Sequence, residues 1–353
     1  MRIAFIGIEK DWLDLERRNY VRQFIQYHLE LPYYYAVYGF NSVDIVSDYA
    51  WGPVMTFQDA SPVEVLRYDE FLKREYDVVI HWRKWFEECH RPEAINVINS
   101  QDHSYGREWL QTVESATVDD KLYGILCFPT WHERNIAEEC IRMPVAPRLL
   151  PGVTLGVDTS IYQPSPEKNR HQLLWASDPG RGIQEAYEIT MMLFQRDKRF
   201  RLHVCWPDYV NLQYDIGGEL QSGMIKVIHP AIVYHDNLDN GPELWNLFNT
   251  SGFLPYTSIF KEPSSRAHRQ AMAAGCVVLY PPDMGTPSEL IQPGVDGIVC
   301  DVEHWVSLID QYANANEYHY ELISNNARTR AVAENWRVQA QRFNKLFEGI
   351  ING

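Results

Sequence analysis

Short apolar runs separated by polar stretches of helix length set the rhythm of this chain. Met1–Ile8, Val43–Val46, Asp77–Ile80, Ala94–Ile98 and Lys121–Phe128 are apolar and brief, which predicts buried strands. Between the first two, Val21, Phe24, Ile25 and His28 recur at helical spacing among charged residues, as in a helix lying on a sheet. Pro62–Glu75 is a polar segment of helix length. Residues 150–169 break the rhythm with repeated Gly and Pro and read as a linker. The alternation then restarts. Strands are predicted at Gln172–Ala176, Phe200–Cys205, Ile225–Ile228, Gly252–Leu254 and Cys276–Tyr280. Helices are predicted at Gly182–Gln195, Pro242–Asn249 and Ser265–Ala274, and Tyr318–Ile350 forms one long helical pattern containing Trp336 and Phe343.

Strand and helix alternating at this pitch imply parallel sheets wrapped by helices. With 353 residues, the chain also exceeds what one core usually organises. The expectation is an α/β protein of two domains, residues 1–155 and 156–330, followed by a helix over 331–353. Two such domains facing a cleft would line it with loops from the carboxyl ends of their strands, where ligands bind in open α/β sheets.

Composition narrows the partners. There are 32 Lys+Arg against 47 Asp+Glu, a net charge of −15 shared almost equally by the two halves. Such a field repels nucleic acid and anionic bilayers, while a local cation can still hold one small anion. The apolar start ends by Ile8, too short for a signal-peptide core, and no later run nears the roughly 18 residues of a membrane span. The six cysteines are scattered without a Cys-x-x-Cys, which suits reduced thiols. A cytoplasmic protein without integral membrane association is expected. The Gly-x-Gly-x-x-Gly dinucleotide fingerprint and the Walker loop are both absent, so dehydrogenases and P-loop kinases are disfavoured and no bound cofactor is expected.

The most informative segment runs from Lys261-Glu-Pro-Ser-Ser-Arg to Ala-Met-Ala-Ala-Gly275, followed by Cys-Val-Val-Leu-Tyr280. Ser264 or Ser265 can cap a helix whose free backbone N–H groups suit a phosphate, with Lys261 as a mobile charge beside it. By itself the segment reads equally as an ordinary Ser-capped helix with a surface Lys–Glu pair. Trp175-Ala-Ser-Asp-Pro-Gly-Arg-Gly182 is a strand-to-loop segment in which Gly180 and Gly182 are turn glycines and Arg181 is the cation.

Together these segments resemble retaining glycosyltransferases of the GT-B fold, a family that uses nucleoside-diphosphate sugars. Its signature has a Glu, seven residues, a second Glu and an Ala-Met-Ala-x-Gly turn; here Glu262 fills the first position and Gln270 the second. Leu155-Gly-Val-Asp158 with Tyr162 and Pro164 is similar to the family's linker, with Leu where Asn is usual. Residues 175–182 are similar to its donor loop, with Arg181 at the Lys-like position. Asp283-Met-Gly-Thr-Pro-Ser-Glu-Leu-Ile291 and Gly294-Val-Asp-Gly297 resemble its last two motifs.

The resemblance covers residues 150–300 well and the first 150 weakly. It implies two Rossmann-like domains, with the second binding a nucleotide sugar, UDP- or GDP-linked, and the first a glycan or small-molecule acceptor. The tail helix would return to the first domain. It implies that Arg181, Lys261, Ser264 and Ser265 hold the diphosphate and that Gly180 and Gly182 shape the donor loop. Gln270 would meet the ribose, and Glu262 the sugar hydroxyls. Asp102 and His103, on the loop after Ala94–Ile98, would face the reacting carbon, with His81 as a competing histidine. The Asp-x-Asp of the other glycosyltransferase fold is missing, so no metal is expected. The amide of Gln270 cannot supply a carboxylate. That departure leaves a catalytically weakened binding protein as one alternative, with a nucleotide-sugar epimerase as another.

Overall fold

The structure is a computed structural model. It describes residues 1–6, 36, 42–46, 63–82, 85–100, 106–151, 154–177, 179–205, 215–216, 219–220, 227–235, 238, 241–258 and 260–353. The chain divides into two compact units, Met1–Gly156 with Trp336–Gly353, and Val157–Asn335.

The first unit is built on β1 (Arg2–Ile6), β2 (Ser42–Val46), β3 (Val63–Leu66), β4 (Val78–Trp82), β5 (Ile95–Asn99), β6 (Gly124–Cys127) and β7 (Leu149–Pro151). They form one sheet in the order β3-β2-β1-β4-β5-β6-β7, with every pair parallel. Strand β4 reads Val-Val-Ile-His-Trp and is buried at all five positions, as expected of a central parallel strand covered on both faces. The helices described around this sheet are α1 (Tyr68–Phe71), α2 (Arg107–Val118) and α3 (Trp131–Cys140).

The second unit repeats the plan. Its sheet uses β8 (Asn169–Trp175) and β9 (Arg201–Val204); a two-strand antiparallel pair, β10 (Asp215–Ile216) and β11 (Glu219–Leu220), lies outside it. Strands β12 (Ile232–Tyr234), β13 (Ser251–Pro255), β14 (Val277–Tyr280) and β15 (Ile298–Val299) complete a parallel sheet ordered β12-β9-β8-β13-β14-β15. The helices are α4 (Ile183–Arg196), α5 (Pro242–Thr250), α6 (Arg266–Ala273), α7 (Thr286–Leu290), α8 (Trp305–Asn314) and α9 (Glu317–Ala333). Helix α4 buries Ile183, Ala186, Tyr187, Thr190 and Leu193, the stripe that helical periodicity requires of a helix covering a sheet.

Three expectations are corrected. Pro62–Glu75 is no long helix: it contains β3 and the four-residue α1. The strand expected at Ile225–Ile228 lies later, at Ile232–Tyr234. Ile228 is 97% exposed, whereas Ala231 and Ile232 are buried in the core and pull the strand into place. The long tail pattern is two helices, α9 and α10 (Trp336–Asn352), interrupted at Glu334 and Asn335. Ala327 and Ala331 of α9 belong to a core of the second unit; Trp336, Ala340, Phe343 and Phe347 of α10 belong to the core of the first. One apolar stripe serves two cores, so the helix breaks between them. The helix expected around Val21–His28 lies outside the described residues.

All six cysteines are free, five of them buried. No helix among the described residues is long and apolar enough to cross a membrane.

At the carboxyl end of α4, Asp197 accepts from the Arg199 backbone at 2.9 Å and from its guanidinium at 2.6–3.1 Å. These bonds to Arg199 hold the carboxyl pKa down at about 2. A carboxylate with a depressed folded-state pKa stabilises the fold above its unfolded pKa, and loses that contribution as pH falls through the folded value. Asp197→Asn is therefore expected to cost about 1 kcal/mol at neutral pH, after solvent screening. Urea unfolding of parent and variant should show the difference closing between about pH 4 and pH 2.

Candidate functional site

In each sheet the strand order reverses once, between β1 and β4 in the first unit and between β8 and β13 in the second. Loops leaving two such strands turn to opposite faces, and the crevice between their carboxyl ends is where doubly wound sheets bind ligands. In the second unit the loop after β8 carries Arg181 and Gly182 and the loop after β13 leads into Lys261–Ser265, the start of the signature segment singled out from the sequence.

Gly182 locks them together. It has φ 107°, and a Cβ built on it would lie 2.1 Å from the Thr257 carbonyl oxygen. Thr257 Oγ1 donates back to the Gly182 carbonyl at 2.5 Å. Glycine is required here twice over, by conformation and by close approach. Immediately before it, Arg181 closes a single 3-10 turn, Pro179–Arg181, and its guanidinium pairs with the Glu262 carboxylate.

Glu262 is almost sealed, at 5% exposure. Its backbone is pinned by the segment 283–291: Glu262 N donates to the Met284 carbonyl at 3.1 Å, and Thr286 N donates to the Glu262 carbonyl at 3.0 Å. The same Oε1 that meets Arg181 also accepts from the Tyr256 hydroxyl at 2.5 Å. Tyr256 is buried between Trp175 and Tyr280, with ring centroids at 6.2 and 4.9 Å. Burial and the adjacent carboxylate push the Tyr256 phenol pKa well up, so it remains a hydrogen-bond donor.

Ser265 is the N-cap of α6 and accepts from the His268 backbone at 3.5 Å, so the helix begins where the sequence placed it. Next to it, Ser264 Oγ is buried without a hydrogen-bond partner among the described residues, as are His268 Nδ1 and Trp175 Nε1. Unpartnered buried polar atoms are rare in folded proteins, which makes this concentration notable. His268 is held neutral: burial, then Arg269 and Arg330, drive its pKa well below the ordinary value.

Lys261 points its ammonium at Asp283, 2.6 Å away, in a largely exposed pair, and so is not drawn into the Arg181–Glu262 contact. Gln270 lies a turn further along α6, buried, and its amide nitrogen donates to the Tyr162 hydroxyl at 2.7 Å. Gly180 ends up in the same 3-10 turn as Arg181. Asp102 and His103 lie outside the described residues. The competing His81 lies inside the first unit's sheet on β4. It is fully buried, stacks on Trp85 at 4.2 Å and accepts the Phe86 N–H on Nδ1, and burial lowers its pKa to about 3. Also in the first unit, buried Ser100 meets His132 Nε2 at 3.4 Å. His132 Nδ1 accepts the Phe128 N–H, so its proton sits on Nε2 and points at Ser100. A ring nitrogen that already carries a proton cannot deprotonate the serine it faces.

The sequence singled out Arg181, Gly182 and Glu262 separately; the structure pairs Arg181 with Glu262 and adds Tyr256, which the sequence reading did not name. A residue at the carboxyl end of a predicted strand, six positions before the signature Glu, was the available signal.

No protein-family model matches the chain, and no curated protein matches it in sequence. Solved structures do match over its whole length. HepE from Anabaena, in complex with UDP and glucose, is 15% identical, covering 99% of this chain and 100% of its own, with TM-score 0.66. Sucrose-phosphate synthase from Thermosynechococcus elongatus is 13% identical over 100% and 99% of the two chains, with TM-score 0.68. A glycosyltransferase from Rickettsia africae is 12% identical over 100% and 99%, with TM-score 0.69. The chain therefore has the GT-B fold, an α/β architecture of two Rossmann-like units.

Proposed function

We propose that this protein is a retaining glycosyltransferase. It moves a hexose from a UDP- or GDP-linked donor to a glycan or small-molecule acceptor, in the cytoplasm and without a divalent metal. The observation that carries the reading is the Arg181–Glu262–Tyr256 cluster at the β8/β13 reversal, beside the starts of α4 and α6. That the similar HepE structures hold UDP, UDP-glucose or UDP with glucose supports a nucleotide-sugar donor.

The chemistry follows from where charge develops. Breaking the bond between the anomeric carbon and the phosphate oxygen makes the sugar cationic and the departing diphosphate more negative. The Arg181 guanidinium and the amino-terminal end of the α6 dipole are suited to that charge, with Lys261 as a second cation. The Glu262 carboxylate accepts hydrogen bonds from sugar hydroxyls and so orients the ring. Gln270 keeps its amide oxygen for a ribose hydroxyl, since Tyr162 occupies its nitrogen. Asp102 and His103 are the candidates for the reacting carbon. In a retaining transfer the leaving phosphate oxygen can take the acceptor's proton, so neither residue needs to act as a base.

A thermal-shift screen of UDP-, GDP- and ADP-sugars tests this reading, because a ligand at 100 times its Kd stabilises the native state by about 2.7 kcal/mol. One nucleotide class is expected to raise the melting temperature in chelator, and its sugar should pass to a glycan acceptor under the same conditions. Binding without transfer or donor hydrolysis points to the binding protein instead, and product formed without an acceptor points to the epimerase. No shift with any nucleotide sugar overturns the donor reading.

A further inference from the structure

We propose that Tyr256 is a positioning residue of this site: its hydroxyl holds the Glu262 carboxylate in place for the donor sugar when the diphosphate draws Arg181 away. This rests on the donor reading above.

Arg181 and Tyr256 both reach Glu262 Oε1, and they differ in freedom. Arg181 has a side chain 42% exposed and stands on a single 3-10 turn. Tyr256 is 3% exposed, sits where β13 ends, stacks on Trp175 and packs at a tilt against Tyr280. A diphosphate carries more charge than a carboxylate and competes for the same guanidinium N–H groups. The exposed partner can answer that competition; the sealed one cannot.

Removing Arg181 would leave a carboxylate only 5% exposed with one donor fewer, a costly state for a buried charge. The Tyr256 hydroxyl remains as a short, charge-assisted bond at 2.5 Å. Being neutral, it neither attracts the diphosphate nor cancels the carboxylate charge, so Glu262 keeps its capacity to accept from sugar hydroxyls. Backbone bonds to Met284 and Thr286 fix the main chain of Glu262. Tyr256 fixes its side chain.

Tyr256→Phe keeps the ring stack and deletes only the O–H. The test compares, for parent and variant, the affinity for the nucleoside diphosphate alone, the affinity for the matching nucleotide sugar, and kcat/KM for the donor. The variant is expected to bind the free diphosphate within twofold of the parent. Its affinity for the nucleotide sugar and its kcat/KM should fall about tenfold, the size of one charge-assisted hydrogen bond. In a Glu262→Ala background, which removes the acceptor oxygen, the same change should alter neither by more than twofold. Tyr256→3-fluorotyrosine retains the ring and strengthens the donor, so it tests the same bond if the Phe variant does not fold; tighter nucleotide-sugar binding is expected.

Unchanged nucleotide-sugar kinetics in Tyr256→Phe, unchanged affinity in the fluorotyrosine protein, or equal losses for diphosphate and nucleotide sugar overturn the proposal. So do additive effects with Glu262→Ala. A parent protein that binds no nucleotide sugar overturns the donor reading itself, which separates the two failures.

Discussion

Gly182→Ala is expected to destabilise the second unit by about 3 kcal/mol and to abolish donor binding at accessible concentrations. Two independent costs act at one position. The native φ of 107° lies where L-residues are strained. An added Cβ would also sit 2.1 Å from the Thr257 carbonyl oxygen, a backbone atom that cannot swing aside as a flexible side-chain end could. Relief requires the loops after β8 and β13 to separate, which breaks the Thr257–Gly182 hydrogen bond and moves Arg181 off Glu262. Urea denaturation measures the first effect and nucleotide-sugar titration the second. A variant with parental stability would mean that the loops are not held as described. Gly294→Ala is the control: Gly294 also has positive φ, 75°, but a Cβ there meets nothing within 4 Å. It should carry only the conformational cost, roughly 1 kcal/mol.

Arg181→Ala is expected to weaken donor binding by about 1.5–3 kcal/mol, some 10- to 150-fold, through loss of a charge-assisted diphosphate contact. It also leaves Glu262, buried to 5% exposure, without its guanidinium partner, so a measurable loss of stability should accompany the binding defect. Lys261→Ala should behave differently. Its partner Asp283 is 76% exposed and the pair stands at the surface, where such contacts contribute at most about 1 kcal/mol. Its effect on stability should be close to nil and its effect on binding smaller than that of Arg181→Ala. Calorimetric titration with the nucleoside diphosphate checks both. Equal and negligible effects would remove the two cations from the diphosphate assignment.

The motifs between residues 150 and 300 were legible because local chemistry dictates them. A serine that caps a helix, a glycine that ends a strand-to-helix turn and a Glu at fixed spacing from an Ala-Met-Ala turn keep their meaning whatever surrounds them. Periodicity found β1, β4, β8, β13, β14, α4 and α6 for the same reason: each buries a stripe whose spacing is set by its own backbone geometry. Such spacing gave no reason to divide the tail pattern, because helical periodicity records that Ala327, Ala331, Trp336 and Phe343 are apolar and not that they enter different cores.

By itself, then, the sequence determined the α/β alternation, the acidic surface charge, the donor-loop and signature segments, and the separate candidacies of Arg181 and Glu262. Tertiary structure alone decided which candidates meet. Arg181 and Glu262 are 81 positions apart and become partners only because the strand order reverses between β8 and β13. Lys261, beside Glu262 in sequence, turns to Asp283 instead. Tyr256 carried no motif, yet burial at the end of β13 places its hydroxyl on the carboxylate. His81, equal to any other histidine in sequence, is held neutral by complete burial. The physical reason is common to all four. Spacing along the chain sets which way a side chain leaves its own backbone, whereas its partner, its solvent exposure and hence its charge state are set by residues that only the fold brings near.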